Sequence, residues 1–401
     1  MDPQDSKVQV SVPTIVRPIV RSAVVISHIF ASGPAQELVE YLRSRTDRVD
    51  FIGHPFAYAR DIRTFHEVFL KGKRVVLKRA SAWRLPSLLM FAKDLVFTIT
   101  WLAREKEGFQ LCVGADGLNC LGGLFLKRMG RVKRVVFYTI DYAPNRFANP
   151  LLGHLYRTID RYCVNNSDVT WNLNSRMSDV RRTAQSVLRG REVTVPVGVW
   201  LSRIKPLPIR EIDRQSLAFI GHLRKGHGID LMIRSMPQIL EKVPNAKLVI
   251  IGTGPLENEL KRIVRELELA SSVKFVGFVE NQEVAERIIA KCSAGLAPYE
   301  PVQGSFSAYT DPGKPKLYLA CGLPVIITSV PWISGLVSKR KMGLVIHFNQ
   351  EEMVEAVTRL LTDDDFYELC RKNALDYAKE LDWQAIFDNA LADIVQIRLS
   401  S

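Results

Sequence analysis

Short runs of β-branched and aliphatic residues alternate along this chain with stretches whose apolar positions recur every three to four residues. The runs at 23–27, 49–53, 74–77, 110–114, 134–139, 169–172 and 192–196 predict strands, and 34–43, 86–105, 118–129 and 149–164 between them read as helices. Alternation of this kind builds a parallel sheet covered on both faces. Residues 201–215 carry Pro206 and Pro208 among charges and read as a linker. A second alternation follows, with strands at 217–221, 247–252, 273–276, 294–297, 324–328 and 343–346 and helices at 229–242, 256–267, 282–290 and 315–320. The chain closes with two helices, the second starting near Asp382 and Trp383. The expected fold class is α/β, with two doubly wound domains at 1–203 and 204–382 facing a crevice, and a final helix at 383–401 packing back on the first. Ligands of such sheets bind beyond the carboxyl ends of the strands, so the loops there are where chemistry is sought.

Composition narrows the picture. With 401 residues, 47% of them hydrophobic and 24% charged, the chain has a normal core supply, which excludes disordered, collagenous and coiled-coil classes. Its charge is lopsided. Residues 1–200 hold 30 Lys and Arg against 17 Asp and Glu, whereas the remainder holds 25 of each, so the whole net charge of +13 sits in the first half. The excess gathers at Lys71, Lys73, Arg74, Lys78 and Arg79, at Lys127, Arg128, Arg131, Lys133 and Arg134, and at Arg181 and Arg182. Trp83, Leu85, Leu88, Leu89, Phe91 and Trp101 lie near in sequence. Cations beside an aromatic and aliphatic helix predict a first domain that meets an anionic membrane surface. No nucleic-acid-binding motif accompanies the charge, so nucleic acid is not an expected partner.

The six cysteines include no C-x-x-C pair, which suits a reducing compartment. The acidic opening Met-Asp-Pro-Gln-Asp is unlike an export signal. The apolar stretch 85–103 has Lys93 and Asp94 at its centre, which reads as a helix of a domain rather than a membrane span. A cytoplasmic protein, peripheral on the inner face of the membrane, is the expectation.

Four segments carry a resemblance. They are Phe219-Ile-Gly-His-Leu-Arg-Lys-Gly226, Val249-Ile-Ile-Gly-Thr-Gly-Pro255, Val273-Lys-Phe-Val-Gly-Phe278 and Asp311-Pro-Gly-Lys-Pro-Lys-Leu-Tyr-Leu-Ala-Cys-Gly-Leu-Pro-Val325. In this order and spacing they resemble the donor-binding domain of nucleotide-sugar glycosyltransferases of the GT-B architecture, two Rossmann-like domains about a crevice, most closely the family 4-like group. The tail from Leu361 to Trp383 also looks like that family's closing helices. In the first half only the turn 32–36, with Gly33 in the acceptor loop, and the exit 195–198 are similar.

Residue by residue, the resemblance implies a nucleoside-diphosphate sugar, of the UDP-sugar kind, as donor. Arg224 and Lys225 precede Gly226 and Gly228, a backbone able to approach a diphosphate closely, and the resemblance gives this basic pair the leaving nucleotide. Lys314 enters a helix start whose free N–H groups suit phosphate. Gly252 and Gly254 wall the crevice without the third glycine of a dinucleotide fingerprint, and Gly277 and Phe278 offer a surface to the nucleobase. Relatives with a Lys-x-x-Glu-Tyr pattern hold the donor ribose on the glutamate, and here that position is Leu317, followed by Tyr318; the acidic position eight residues earlier is Tyr309. Asp311 is the carboxylate left to take over hydroxyl recognition.

On the acceptor side three strand ends supply polar groups: His28, Asp116 and Asp141. Any of them at the crevice can orient or deprotonate an acceptor hydroxyl. Asp141, between Tyr138 and Tyr142, is the first choice, with helix capping the competing reading for both aspartates. Asp363 and Asp365 form an Asp-x-Asp, but after Thr362 at a helix start they read as caps. No metal and no cofactor is therefore expected. The resulting reading is a metal-independent glycosyltransferase acting on a lipid-linked or polysaccharide-precursor acceptor. A nucleotide-sugar epimerase of the same architecture and a donor-binding protein without catalysis are the rivals.

Overall fold

The computed structural model describes residues 20–29, 33–56, 59, 61–83, 85–184, 189–301 and 309–396; Ser32 of the turn singled out above lies outside them. Strands β1 (Ser22–Ile29), β2 (Arg48–Pro55), β3 (Phe65–Leu70), β4 (Lys73–Arg79), β5 (Phe109–Ala115), β6 (Val132–Thr139), β7 (Val169–Asn172) and β8 (Glu192–Thr194) form one sheet, ordered β4-β3-β2-β1-β5-β6-β7-β8. Val24, Val25 and Ile26 of β1 are wholly buried, which is why the first apolar run becomes a central strand.

The sheet departs from the expected all-parallel one at its edge, where β3 runs antiparallel to both β2 and β4. Polar residues inside β3 hide it from a hydrophobicity pattern. His66 there is buried, its Nε2 2.7 Å from Asp50 Oδ2. The β3–β4 turn is Lys71-Gly72 with φ of 47° and 81°, the left-handed pair that suits a two-residue hairpin. Strand β4 is an exposed edge whose cations also guard it against pairing with another chain.

Helices α1 (Pro34–Arg43), α2 (Ser87–Ala103), α3 (Gly117–Arg128), α4 (Pro150–Asn166) and α5 (Ser175–Ala184) cover this sheet. Helix α3 lies on β5 and β6 between α2 and α4. Helix α5 was not anticipated, because only Met177 and Arg181 of its residues are buried and one of the two is a cation. Arg181, expected among the surface cations, is fully buried and bonded to Asp160, Glu192, Asn172 and Thr139.

The second sheet comprises β9 (Asp213–Ile220), β10 (Lys247–Ile251), β11 (Val273–Gly277), β12 (Cys292–Ala297), β13 (Val325–Thr328) and β14 (Gly343–Ile346), all parallel in the order β11-β10-β9-β12-β13-β14. Around it lie α6 (Ile229–Lys242), α7 (Glu257–Glu266), α8 (Gln282–Ala290), α9 (Gly313–Ala320), α10 (Ile333–Lys339), α11 (Gln350–Thr362) and α12 (Asp364–Ala378). The chain ends its described part with α13 (Trp383–Gln396), so three helices close it rather than two. Strand β9 begins at Asp213, inside the stretch read as linker.

The strand order reverses direction between β1 and β5 in one sheet and between β9 and β12 in the other. These two switch points are where parallel sheets open a crevice for ligands. The domains are tied by Val199, whose N–H donates to Leu381 O (2.8 Å) and whose carbonyl accepts from Trp383 N–H (3.0 Å). Beyond that bridge α13 joins the first domain: Trp383 and Phe387 stack at 4.8 Å within the apolar cluster of Leu38 and Tyr41.

Candidate active site

Strand β9 ends against the loop that carries Arg224 and Lys225. Gly228 in that loop has φ of 63°, and a Cβ there would sit 1.9 Å from Pro298 O, so only glycine lets the loop close down on the end of β12. Gly252, after β10, is as confined: a Cβ would meet Gly221 O at 2.0 Å. Gly254 packs on Leu223 in the same way. These two glycines shape the arginine loop from behind. Gly277 ends β11 with open space beside it, and its carbonyl accepts from Gly252 N–H at 2.8 Å. Phe278 next to it is 71% exposed, a bare aromatic surface at the edge of this site.

Arg224 and Lys225 are both exposed. Arg224 Nε donates to His227 Nε2 (3.2 Å), so His227 Nδ1 carries the proton and donates to His222 O (2.8 Å). Burial, with Lys314 and Arg224 nearby, holds His227 neutral by lowering its pKa to about 3. Lys314 enters from the first turn of α9. Its Nζ lies 3.2 Å from His227 Nδ1 and 4.8 Å and 5.2 Å from the ring centres of Phe219 and Tyr299. No carboxylate among the described residues pairs with it. Burial and the charge of Arg224 pull its pKa down to about 7. An ammonium so placed, on a helix start and in the field of a guanidinium, can receive an anion.

Two residues expected at the donor are turned elsewhere. Asp311 is buried: its Oδ2 accepts from Val197 N–H (2.8 Å) and pairs with Lys316, which also donates to Val197 O (2.7 Å). It clasps the start of α9 to the interdomain connection and is not open to a sugar hydroxyl. Tyr318 is wholly buried, its hydroxyl accepting from Ile220 N–H (2.9 Å) and donating to Leu296 O (3.4 Å). It props the β9/β12 switch point instead of touching a ligand. Leu317 packs against the apolar cluster beneath α9, and the backbone carbonyl of Tyr309 accepts from Asn174 Nδ2 at 2.9 Å, so neither position supplies an acid.

Across the crevice, Asp116 stands at the end of β5 with φ of 67° and ψ of 166°, a conformation almost reserved for glycine. Its side chain does not cap α3; Oδ1 lies 3.4 Å from the amide nitrogens of Ile140 and Asp141. Such strain is held in place only by the surrounding structure, here at the switch point between β1 and β5. Asp141 does not cap α4 either, since Asn149 Oδ1 does so by accepting from Leu151 and Leu152 N–H. Its carbonyl accepts from Arg146 Nη1 (2.6 Å), while no described residue hydrogen-bonds its carboxylate. Burial first and Asp116 second push the Asp141 carboxyl up to about 6, against the pull of Arg146 and Arg224. The influence of Arg224 brings the two domains' charged groups into one field. Arg181, 4.5 Å below the ring of Tyr142, supports this loop.

His28 does not share the role given to Asp141. Asn119 Nδ2 donates both to Ala115 O (2.6 Å) and to His28 Nδ1 (3.0 Å), which leaves the imidazole proton on Nε2, 3.6 Å from Asp94. Both ring nitrogens face protein, and the ring stacks on Phe56, so no lone pair is left for an acceptor. Gly33 N-caps α1 in extended conformation, its N–H bonded to Gln36 Oε1 (3.1 Å).

Asp363 caps α12 by accepting from Phe366 N–H at 3.0 Å. The one group of potential metal ligands among the described residues, Asp50, His66 and Glu105, is already bridged by Arg48, which contacts both carboxylates at 2.6 Å and fills the space a cation would take. Tyr299 and Asn119 were not singled out in the sequence, and Arg181 was read there only as a surface cation. His227 left a trace there, as a residue between two glycines of the arginine loop.

Residues 214–363 match the family described as Glycosyl transferases group 1. The chain is similar to an uncharacterized glycosyltransferase of Methanocaldococcus jannaschii, 30% identical over 178 residues, 43% of each protein. It is also similar to the D-inositol 3-phosphate glycosyltransferase of Corynebacterium aurimucosum, 24% identical over 46% of this chain and 44% of that one. The matched parts are thus less than half of either relative. Among solved structures, sucrose-phosphate synthase from Thermosynechococcus elongatus superposes with a TM-score of 0.70 over 95% of this chain and 100% of the other, at 20% identity. The match to Glycosyl transferases group 1 thus lies on the second domain, while the paired parallel sheets give the whole chain the two-domain GT-B fold that sucrose-phosphate synthase shares.

Proposed function

We propose that the protein transfers a sugar from a nucleoside-diphosphate sugar, held by residues 204–382, to an acceptor hydroxyl held by residues 1–203. The observation that carries this reading is Lys314, a half-buried amine at the start of α9 that no carboxylate among the described residues pairs with and that lies in the field of Arg224. Two like charges held together in this way call for a polyanion between them. The diphosphate answers that call, and as the leaving group it would be stabilised most when its charge develops. On the opposite wall Asp141, with a carboxyl raised to about 6, suits orientation or deprotonation of the acceptor hydroxyl near neutral pH. Cationic side chains and helix N–H groups take the place of a divalent ion, so transfer is metal-independent.

The acceptor is proposed to be lipid-linked or a polysaccharide precursor, met at an anionic membrane surface. The +13 confined to the first half supports this, as do the exposed Lys73, Lys78 and Arg79 of β4 beside the exposed Trp83. No described helix is long and apolar enough to cross a membrane. Leu317 and Tyr309, which leave the expected acidic positions empty of charge, favour a second reading, donor binding without transfer.

Calorimetric titration with UDP, GDP and ADP, and with the corresponding nucleosides, tests the donor assignment. One diphosphate should bind far better than its nucleoside, and Lys314→Ala should remove most of that difference. Equal affinity for diphosphate and nucleoside overturns the assignment. Binding without turnover on any lipid or glycan acceptor selects the second reading.

A further inference from the structure

Between α2, α3 and α4 the first domain carries a groove of about 200 Å³, lined by Leu95, Ile99, Leu121, Leu124, Phe125 and Tyr162, with Arg128 at its rim. Helices that cover a sheet ordinarily turn polar residues outward. Here Val96 of α2 is 57% exposed, Phe125 of α3 48%, and Leu151 and Leu155 of α4 81% and 50%. The charges on these helices are equally one-sided. Helix α3 contains no carboxylate, and the carboxylates of α2 and α4, Asp94 and Asp160, are both buried. The charged side chains that the three helices expose are Arg128 and Arg161, both cationic, among uncharged polar residues such as Thr100, Thr158 and Asn165. A face turned only to water would interleave both signs and avoid contiguous apolar side chains.

We propose that this groove seats one acyl chain of an anionic membrane lipid, with the Arg128 guanidinium on the lipid phosphate. The apolar lining takes the chain, and the absence of exposed carboxylates on the three helices lets an anionic headgroup approach. On the flank of α2 the ring series Trp83, Phe97 and Trp101 leads toward the cationic β4 edge, which meets neighbouring headgroups. The bound lipid is an anchor and not the acceptor. Arg128 lies twelve residues along α3 from Asp116, about 18 Å at 1.5 Å per residue, beyond the reach of a headgroup hydroxyl. This inference rests on the membrane reading above and adds a specific hydrophobic site to it.

The test uses the full chain and sedimentation with vesicles of phosphatidylglycerol in phosphatidylcholine, at low salt and near 1 M salt, where charges are screened within about 3 Å. The variants Leu121→Trp and Ile99→Trp fill the groove from two helices, and Arg128→Glu opposes the headgroup. Circular dichroism and nucleotide-diphosphate binding report whether each variant is folded. Each methylene buried multiplies affinity about fourfold, so excluding two or three should weaken vesicle binding about 16- to 60-fold. The wild type should keep a salt-resistant fraction that the folded groove variants lose, and native mass spectrometry should find phosphatidylglycerol retained by the wild type alone. A wild type that binds only at low salt, or folded groove variants that bind as it does, overturns the acyl-chain site while leaving electrostatic docking intact. A wild type that ignores the vesicles even at low salt overturns the membrane reading itself.

Discussion

Lys314 offers a prediction that separates a phosphate receptor from a surface lysine. In the free protein burial and Arg224 bring its pKa to about 7, so at pH 8 roughly nine-tenths of the molecules carry it neutral. A diphosphate beside Nζ favours the ammonium, raises the pKa well above 8, and must draw a proton from solvent as it binds. Titrating the nucleoside diphosphate at pH 8 in two buffers of different ionisation enthalpy should give uptake of about 0.9 proton, falling toward zero at pH 6, where the lysine is already charged. Neutral His227 does not supply this signal at pH 8, because its pKa near 3 would have to climb by five units. Lys314→Met should abolish the uptake and weaken diphosphate binding by about 1.5–3 kcal/mol, the range of a charge-assisted hydrogen bond. Nucleoside binding should stay unchanged. Uptake that survives in the methionine variant, or equal losses for diphosphate and nucleoside, would refute the placement of Lys314 on phosphate.

Other outcomes follow from the same geometry. Transfer should persist in EDTA if, as proposed, Arg224, Lys225 and Lys314 neutralise the diphosphate; an absolute need for Mn²⁺ or Mg²⁺ would contradict this. Arg181→Met should destabilise the protein by about 3–5 kcal/mol, since it strands the buried Asp160 and Glu192, and urea unfolding reads this directly. Asp141 has a folded-state pKa raised above the unfolded value of 3.8, so the folded protein binds the extra proton between pH 4 and 6 and loses stability as pH rises through that window. Asp141→Asn should accordingly be more stable than wild type above pH 6, by up to about 3 kcal/mol, and equal to it below pH 4. A constant difference across the range would mean that the carboxyl is not perturbed.

The paired sheets were legible because their central strands are buried on both faces and therefore appear as uninterrupted aliphatic runs. Residues 169–172, 229–242 and 343–346 fold within the bounds their pattern gives. Strand β3 was not legible, since His66 and Glu67 interrupt its apolar pattern and its pairing depends on Asp50 from a different strand. Helix α5 escaped for a related reason: it is anchored by the ion network of Arg181. Among site residues, Lys314 and Arg224 could be read from their place between a strand end and a glycine or helix start. Asp311 and Tyr318 share that motif, yet their burial against Val197 and Ile220 depends on how the domains and strand ends meet, which spacing along one chain does not encode. The strained backbone of Asp116 and the tautomer of His28 are likewise products of tertiary contact.

The central claim is that the crevice joins a cationic donor site on the second domain to a carboxylate on the first. Asp141→Asn tests it most directly, in an assay that measures both donor affinity by calorimetry and turnover on the acceptor that supports transfer. Removing the charge should leave the dissociation constant of the nucleoside diphosphate essentially unchanged, because no described residue hydrogen-bonds the Asp141 carboxylate and it lies on the opposite wall. Turnover should fall by about 10²–10⁴, the contribution of general acid–base work, and the wild-type rate should decline as pH drops below about 6. An asparagine variant that binds donor and turns over at the wild-type rate would contradict the account, leaving Asp141 a loop residue and the acceptor chemistry elsewhere.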